Sequence, residues 1–197
     1  MRLQGKTALV TGAGGGFGEG IARLFAAEGA RVVVADLVGD AAARVAGEIG
    51  GTPVQGDVSQ GADVQAMVDI AVKTHGGLDI VVNNAGTTHR NQPLLGVDEA
   101  TFDRVYAVNV KSIYWMAQSA VPVLRAQRRG GSIINISSTA GIRPRPGLVW
   151  YNGTKGAVNT MTPWMAIELA PDTIRVNAVC PVLGATVLTE LFIDRKS

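Results

Sequence analysis

The feature that most constrains the fold lies at the amino terminus, where two apolar segments are joined by a glycine-rich turn and a helical pattern. Residues 6–11 are typical of a short strand, residues 12–18 include five glycines, and residues 19–29 carry apolar side chains at helical spacing. A second apolar segment, 31–36, ends in an aspartate. This order predicts a βαβ unit in which bare backbone N–H groups and the positive end of a helix face an anion.

The glycine turn departs from the strict G-x-G-x-x-G pattern of dinucleotide sites, because Phe17 stands where the third glycine would be. The pattern present is T-G-x-x-x-G-x-G, starting at Thr11. A flexible turn is the alternative, but the flanking strand and helix favour a dinucleotide loop. The residues of this loop predicted to bind the cofactor are Gly12, Gly15, Gly16, Phe17 and Gly18.

Asp36 ends the second strand and predicts which dinucleotide binds. A carboxylate at this position of a βαβ unit accepts hydrogen bonds from the adenosine ribose and repels a 2′-phosphate. No Arg or Lys stands at positions 37–39 to hold such a phosphate. The sequence therefore favours NAD(H) over NADP(H). The alternative for Asp36 is a helix N-cap, although Asp40 suits that role better.

Strand and helix patterns alternate along the chain, without a linker, repeat or low-complexity tract. The longest helical patterns cover 99–128 and 149–170. This alternation predicts an α/β fold, a doubly wound, mostly parallel sheet with helices on both faces, formed by residues 1–197 as a single domain. The predicted strands lie near 6–11, 31–36, 53–57, 78–83, 131–137 and 173–179.

Composition excludes several other classes of protein. The net charge is +2, and no basic stripe suggests nucleic-acid binding. The longest uncharged run, 176–189, has 14 residues, fewer than the ~20 that span a bilayer. No signal peptide is visible, and a single cysteine, Cys180, fits a reducing cytoplasm. His75 and His89 are expected in a solvated loop or at a helix end and predict no metal site.

Tyr151 and Lys155 share one helix face, since their i, i+4 spacing places both side chains on the same side. A phenol is a poor acid at neutral pH, but a neighbouring ammonium favours the phenolate and is expected to lower its pKa. Ser138 ends a buried strand pattern, at the edge where open α/β sheets bind ligands. These three residues predict an acid–base site with a hydroxyl donor.

Taken together, these motifs resemble the short-chain dehydrogenase/reductase family, in its single-domain branch. The resemblance covers about residues 7–186, nearly the whole chain. An extended-family sugar-nucleotide epimerase is the alternative, because the glycine turn also satisfies T-G-x-x-G-x-x-G, but no substrate domain follows. The motifs, in the family's order, are T-G-x-x-x-G-x-G from Thr11, Asp57-Val58, Asn83-Asn84-Ala85-Gly86, Asn109, Ser138, Tyr151-x-x-x-Lys155 and Asn177-Ala-Val-Cys-Pro181.

The resemblance assigns catalytic roles to four residues. It implies that Tyr151 exchanges a proton with the substrate oxygen and that Ser138 donates a hydrogen bond to it. Lys155 is expected to lower the Tyr151 pKa and to hold the ribose hydroxyls, while Asn109 keeps a water in a proton relay. Ser137 is the alternative to Ser138, and the family's 13-residue spacing to Tyr151 selects Ser138.

Further cofactor contacts follow from the same resemblance. Asp57 and Val58 are expected at adenine, Asn84 and Gly86 beside the ribose, and Thr186 at the nicotinamide. A purely structural role of Asn83 and Asn84 in a turn is equally compatible. The expected protein is an NAD(H)-dependent oxidoreductase that acts on a secondary alcohol or ketone, with a homo-oligomeric assembly and no nucleic-acid or membrane partner.

The substrate stays open at this point. Leu148, Val149 and Trp150 are expected to offer apolar surface, and Arg143 and Arg145 to meet an anionic group such as a phosphopantetheine-linked acyl chain. The alternative for this stretch is a solvated, proline-stiffened loop. Relatives that reduce 3-oxoacyl thioesters and relatives that oxidise sugars or other secondary alcohols are both compatible.

Three departures from the family pattern carry their own expectations. Val182 replaces a glycine, which restricts the backbone near the nicotinamide. Pro163 is expected to interrupt the helix that carries Tyr151 and to alter packing against a partner subunit. The carboxyl end is short, so the final strand region is expected to be missing. A truncated relative that binds dinucleotide or a partner chain without efficient turnover is the alternative function.

Overall fold

The computed structural model describes residues 1–143, 145–182 and 184. Within them, parallel strands alternate with helices along the chain. The strands are β1 (Thr7–Thr11), β2 (Arg31–Asp36), β3 (Thr52–Gln55), β4 (Ile80–Asn83), β5 (Gly131–Ile136) and β6 (Ile174–Val179). The helices are α1 (Gly16–Ala27), α2 (Gly39–Ile49), α3 (Gly61–His75), α4 (Glu99–Tyr106), α5 (Ser112–Gln127) and α6 (Val149–Leu169).

The six strands form one parallel sheet in the order β3-β2-β1-β4-β5-β6. The chain runs outward from β1 to β3, then crosses to β4 on the other side of β1, so the strand order reverses between β1 and β4. Ligands of open α/β sheets bind at the carboxyl ends of the strands beside such a reversal. This topology confirms the predicted doubly wound fold. The expectation that a final strand region is missing concerns the carboxyl end, which lies outside the described residues.

Each face of the sheet packs against helices, as alternating side chains along a strand require. Leu9, Val33 and Val81 face one core, together with residues of α3 and α5 such as Met67 and Leu124. The other core includes strand residues from the opposite face and residues of α1 and α2, among them Ala8, Val10, Val34, Ala22 and Ala42. The residues that follow the strands are therefore held on a sheet buried on both sides.

The largest differences between predicted and observed strand ends are two residues: β3 ends at Gln55 rather than 57, and β4 begins at Ile80 rather than 78. The predicted helix over 99–128 is interrupted by a turn of π-helix at Ala107–Lys111, between α4 and α5. Pro163, expected to interrupt α6, lies inside a helix that continues to Leu169. Pro163 is exposed, and on the solvent side of a helix water can satisfy a carbonyl that lacks its helical donor.

None of the helices among the described residues is long and apolar enough to cross a membrane.

Candidate active site

Ser138 and Tyr151 meet where β5 ends and α6 begins. Ser138 follows β5 in extended backbone conformation, and its hydroxyl accepts a hydrogen bond from the Ala140 N–H at 3.1 Å. Tyr151 lies in the first turn of α6 and is only 8% exposed. The Ser138 hydroxyl also bonds to the phenol of Tyr151. A hydroxyl donor and an acid–base group thus lie together at the carboxyl edge of the sheet.

Burial raises the pKa of the Tyr151 phenol above its ordinary value of 10.0, while the hydrogen bond with Ser138 and the charge of Arg145 act against that rise. This direction is opposite to the prediction that Lys155 would lower the pKa of Tyr151. Burial removes the water that would stabilise the phenolate, and the hydrogen bond with Ser138 and the charge of Arg145 compensate for this loss only in part. In this structure the phenol is therefore held as a proton donor.

Lys155 lies one helical turn after Tyr151 and is 5% exposed. Its Nζ atom donates a hydrogen bond to the Ile136 carbonyl at 2.9 Å and lies 5.8 Å from the centroid of the Tyr151 ring. Burial lowers the pKa of the Lys155 ammonium from 10.5 to about 8, against a smaller opposing effect of Cys180. The predicted pair is brought together, with Lys155 anchored to the end of β5.

Ser137 has a structural contact instead of a place at Tyr151. Its hydroxyl donates to the Lys155 carbonyl at 3.1 Å, and its N–H donates to the Val179 carbonyl at 2.8 Å. Successive side chains of an extended segment point to opposite sides, so only one of the two serines can reach Tyr151. That serine is Ser138, in agreement with the predicted spacing.

Asn109 lies in the π-helical turn and is 3% exposed. Its Nδ2 atom donates to the Thr87 carbonyl at 2.9 Å and to Thr154 Oγ1 at 3.0 Å, and its Oδ1 atom accepts from the Thr87 N–H at 2.8 Å. The side chain therefore joins the segment after β4 to α6. A cavity of about 10 Å³, lined by Asn109 and Lys155, has room for about one water. The relay role of Asn109 stays a prediction.

The glycine turn approaches other backbone so closely that side chains are excluded at several positions. Gly12 has φ +62°, and a Cβ atom there would lie 2.8 Å from the Ala85 Cα atom. A Cβ atom at Gly18 would overlap the Gly12 carbonyl oxygen. Gly16, the first residue of α1, has φ +56°. These three predicted glycines are thus required by the turn itself.

Gly15 and Phe17, the other predicted loop residues, lie at the entrance to α1. Gly15 is the N-cap, and a Cβ atom there would meet nothing within 4 Å. Phe17 is 43% exposed and contacts Gly184. Both are accessible, as a ligand-contacting position requires. Thr186, predicted at the nicotinamide, lies outside the described residues.

Asp36 closes the turn from β2. Its Oδ2 atom accepts a hydrogen bond from the Gly14 N–H at 2.8 Å, and its Oδ1 atom accepts from the Val38 N–H at 3.0 Å. The N-cap of α2 is Val38, so Asp36 does not have the helix-capping role considered as an alternative. Its carboxylate lies at the carboxyl edge of β2. The glycine-rich turn, the helix N-terminus and this carboxylate fit the phosphates and ribose of a dinucleotide.

Asn84 ties the first strand to the fourth. Its Nδ2 atom donates to the carbonyls of Thr11 at 2.8 Å and Gly12 at 3.0 Å, and its N–H donates to Thr11 Oγ1 at 3.1 Å. Asn83 donates to Asn135 Oδ1 at 2.9 Å. Both asparagines thus make hydrogen bonds that hold neighbouring strand ends together, as expected for a structural role. Any contact of Asn84 with the ribose stays a prediction.

The remaining predicted cofactor residues also lie at the carboxyl edge. Asp57 lies two residues after β3, where its Oδ1 atom accepts from the Ser59 N–H at 2.8 Å, and Val58 is buried at 9% exposure. A Cβ atom at Gly86 would lie 3.7 Å from Lys155 Nζ. The strand ends thus gather these residues on the same edge as Ser138, although they are far apart in sequence.

Two loops flank Tyr151 and hold each other. The Gln92 N–H donates to the Gly147 carbonyl at 3.1 Å, and Asn91 Nδ2 donates to the Pro146 carbonyl at 3.3 Å. Arg145 is exposed, and its positive charge acts to lower the pKa of Tyr151. Its backbone carbonyl accepts from Asn152 Nδ2 at 2.8 Å, which fixes the loop to α6.

The apolar residues expected beside the substrate have different positions. Leu148 is 1% exposed and packs with Ala140 and Tyr151, so it supports the tyrosine rather than lining open surface. Val149 is 42% exposed. The Trp150 ring Nε1 donates to the Leu94 carbonyl at 3.2 Å.

The prediction that His89 is solvated is wrong, since the residue is 3% exposed. Its Nδ1 atom lies 2.7 Å from the Arg90 carbonyl oxygen. His75 ends α3, as predicted. Sequence reasoning also passed over Gly14 and Arg44, whose contacts link the glycine turn to β2 and α2.

Comparison with known proteins adds independent information. Residues 6–196 match the family model described as short chain dehydrogenase. The chain is 48% identical over 191 residues to a 4-formylbenzenesulfonate dehydrogenase of Comamonas testosteroni, covering 94% of this chain and 75% of that protein. It is 39% identical over 195 residues to a 3-oxoacyl-[acyl-carrier-protein] reductase of Thermotoga maritima, covering 96% and 78%.

The same relationship holds for structure. A 3-ketoacyl-(acyl-carrier-protein) reductase from Brucella melitensis, solved in complex with NADH, superposes with a TM-score of 0.95 at 47% identity, covering 97% of this chain and 81% of that one. With the sheet order and the Ser138–Tyr151–Lys155 cluster, these matches identify the chain: it belongs to the short-chain dehydrogenase/reductase family and is an oxidoreductase that acts on CH–OH groups.

Proposed function

We propose that this protein is an NAD(H)-dependent oxidoreductase that transfers a hydride between nicotinamide and a secondary alcohol or ketone, with Tyr151 as the general acid and base. The observation that carries the proposal is the hydrogen bond between Ser138 and the buried Tyr151 phenol, at the end of a strand and beside Lys155. This is the geometry that protonation of a carbonyl oxygen requires.

When bound, NADH supplies the hydride that reduces the carbonyl carbon. Tyr151 gives its phenolic proton to the oxygen as negative charge develops there. Ser138 donates a hydrogen bond to the same oxygen, which stabilises that charge. Lys155, anchored at the Ile136 carbonyl beside Tyr151, is proposed to hold the ribose hydroxyls of the dinucleotide. Gly12, Gly16, Gly18 and Asp36 are proposed to hold the dinucleotide.

The preference for NAD(H) over NADP(H) is proposed from Asp36. Its carboxylate is anchored by two backbone N–H groups, so it cannot turn away from a ligand without losing both bonds. A 2′-phosphate carries about two negative charges and would be repelled. The NADH complex of the Brucella melitensis relative supports a nicotinamide dinucleotide as cofactor.

The substrate is proposed to be a carbonyl compound that carries a polar or anionic group, for example a 3-oxoacyl thioester. Arg145, exposed and close enough to Tyr151 to influence its pKa, supplies positive charge beside the reacting group. The named substrates of the Comamonas testosteroni and Thermotoga maritima relatives, a sulfonate and a protein-linked acyl chain, support this class. A homo-oligomeric state stays a prediction.

The Tyr151→Phe variant tests the proposed role. It removes the acidic proton and keeps the ring in its packed position, so we expect turnover to fall by about 10²-fold or more while NADH binding is kept. The control is Tyr114→Phe, which makes the same chemical change on α5 at a residue 53% exposed. Assays cover a panel of ketones, 3-oxoacyl thioesters and anionic aldehydes. Turnover that survives in Tyr151→Phe would contradict the role of Tyr151.

A further inference from the structure

Gly14 is held from three sides by elements that follow it in the chain. Its N–H donates to Asp36 Oδ2 at 2.8 Å, and its carbonyl accepts a hydrogen bond from Arg44 Nη2 at 3.0 Å. A Cβ atom at Gly14 would lie 2.7 Å from the Ala41 Cβ atom, so α2 closes the third side. A glycine has unusually free backbone torsions, and bonds on both of its flanking peptides are what fix them here.

Arg44 also belongs to an ion cluster between α1 and α2, which comprises Glu19, Arg23, Arg44 and Glu48. Arg44 Nη2 lies 2.8 Å from Glu19 Oε2, and Nη1 lies 3.3 Å from Glu48 Oε1. Arg23 Nη2 lies 2.7 Å from Glu19 Oε1 and also pairs with Glu48. The arginine fork has several donors in fixed directions, so Arg44 can hold the Gly14 carbonyl and Glu19 at the same time.

Glu19 is the central acceptor of the cluster. Its side chain is 22% exposed, compared with 48% for Arg44. Hydrogen bonds from Arg44 and then Arg23 lower the pKa of the Glu19 carboxyl from 4.5 to about 2, so it stays charged at neutral pH. A single exposed ion pair contributes little, but a network of pairs around one carboxylate restrains its members more strongly.

We propose that Arg44 and Glu19 are positioning residues for the dinucleotide. Glu19 orients Arg44, Arg44 holds the carbonyl of Gly14, and Gly14 in turn fixes the glycine turn against the Asp36 carboxylate. The inference rests on the proposed NAD(H)-binding function and adds residues of α1 and α2 to it. The contacts of the cluster are with the glycine turn and among its own members, so we expect it to act on cofactor affinity and not on proton transfer.

The test compares Arg44→Gln with Arg125→Gln. Arg125, on α5, has a comparably exposed side chain, 51% against 48% for Arg44. Its Nε atom lies 2.7 Å from Asp172 Oδ2, so it also loses an ion pair when replaced by glutamine. We expect Arg44→Gln to raise the Kd for NADH, read from nicotinamide fluorescence, by about three- to tenfold, with kcat at saturating NADH within about twofold of wild type. Arg125→Gln leaves both values unchanged.

Two further measurements separate positioning from a general loss of structure. Arg44→Lys keeps the charge but lacks the fork, so we expect an intermediate Kd. The ratio of the Arg44→Gln and wild-type Kd values is expected to shrink between about 0.05 M and about 0.5 M salt, because salt screens exposed ion pairs. Glu19→Gln is expected to shift the Kd in the same direction as Arg44→Gln.

An Arg44→Gln protein that binds NADH within about twofold of wild type would overturn the positioning role, as would a kcat that falls as far as the affinity does. Failure of the wild-type protein to bind NADH would instead contradict the proposed function, and the positioning role with it. The two failures are therefore distinguishable in the same titration.

Discussion

Lys155 is a buried residue whose charged form is disfavoured by its loss of contact with water. The residue is 5% exposed, and the backbone carbonyl of Ile136 accepts a hydrogen bond from its ammonium. Removing an ammonium from water disfavours its charged form, which is why the pKa of Lys155 falls to about 8. The same group is thus able to change its charge near the pH at which an enzyme works.

This shift predicts how stability depends on pH. The pKa of Lys155 is about 8 in the folded protein and near 10.5 in the unfolded chain, so between these values the unfolded state binds more protons. The contribution of Lys155 to the free energy of unfolding therefore rises as pH increases from about 8 to about 10, by roughly 1 kcal/mol per pH unit. The pKa of Tyr151 is raised, so its opposing contribution begins only above about pH 10.

Urea denaturation of wild type and Lys155→Met at several pH values measures this contribution. The stability difference, wild type minus variant, is expected to increase with pH across the window. Lys73→Met is the control, because Lys73 is an exposed lysine on α3. A difference that stays constant from about pH 8 to about pH 10 would contradict the account of Lys155.

At the scale of single elements, the glycine turn and α1 behave as one unit. Gly18 lies inside α1 and touches the carbonyl end of Gly12, while Gly15 faces open space with φ −170°, a backbone conformation that any residue adopts. A side chain is therefore excluded at Gly18 and tolerated at Gly15, although both are glycines of the same short loop.

We expect Gly18→Ala to lower the free energy of unfolding by about 1–3 kcal/mol and to weaken NADH binding, because the added methyl group displaces the Gly12 carbonyl. Gly15→Ala is expected to keep the free energy of unfolding within about 0.5 kcal/mol of wild type. Chemical denaturation of the two variants checks this. Equal destabilisation by both changes would mean that the turn does not pack as described.

How far the elements can be predicted depends on whether their cause is local. All six strands were predicted within two residues at each end, because apolar runs between turns are a local signal. The π-helical turn at Asn109 was not, since its contacts with Thr87 and Thr154 lie 22 and 45 residues away in sequence. The raised pKa of Tyr151 likewise follows from burial, which spacing along a helix does not reveal. Arg44 was missed because nothing in its own helix indicates that it reaches Gly14.

At the scale of the whole molecule, the site is assembled from strand ends that are distant in sequence. Asp36 ends β2, Asn84 follows β4, and Ser138 follows β5, yet all lie at one edge of the parallel sheet. Such an arrangement lets loops vary while the reacting groups stay on rigid elements. That residues 1–197 form one domain and that the protein is cytoplasmic stay predictions.

The central claim is that this edge binds NAD(H). Titration of the wild-type protein with NADH and, separately, NADPH, followed by nicotinamide fluorescence, tests it most directly, and Asp36→Ala is the informative variant. The account predicts that NADH binds at least about tenfold more tightly than NADPH, and that Asp36→Ala narrows this difference by removing the repulsion of the 2′-phosphate. Equal or tighter binding of NADPH, or binding of neither dinucleotide, would contradict it.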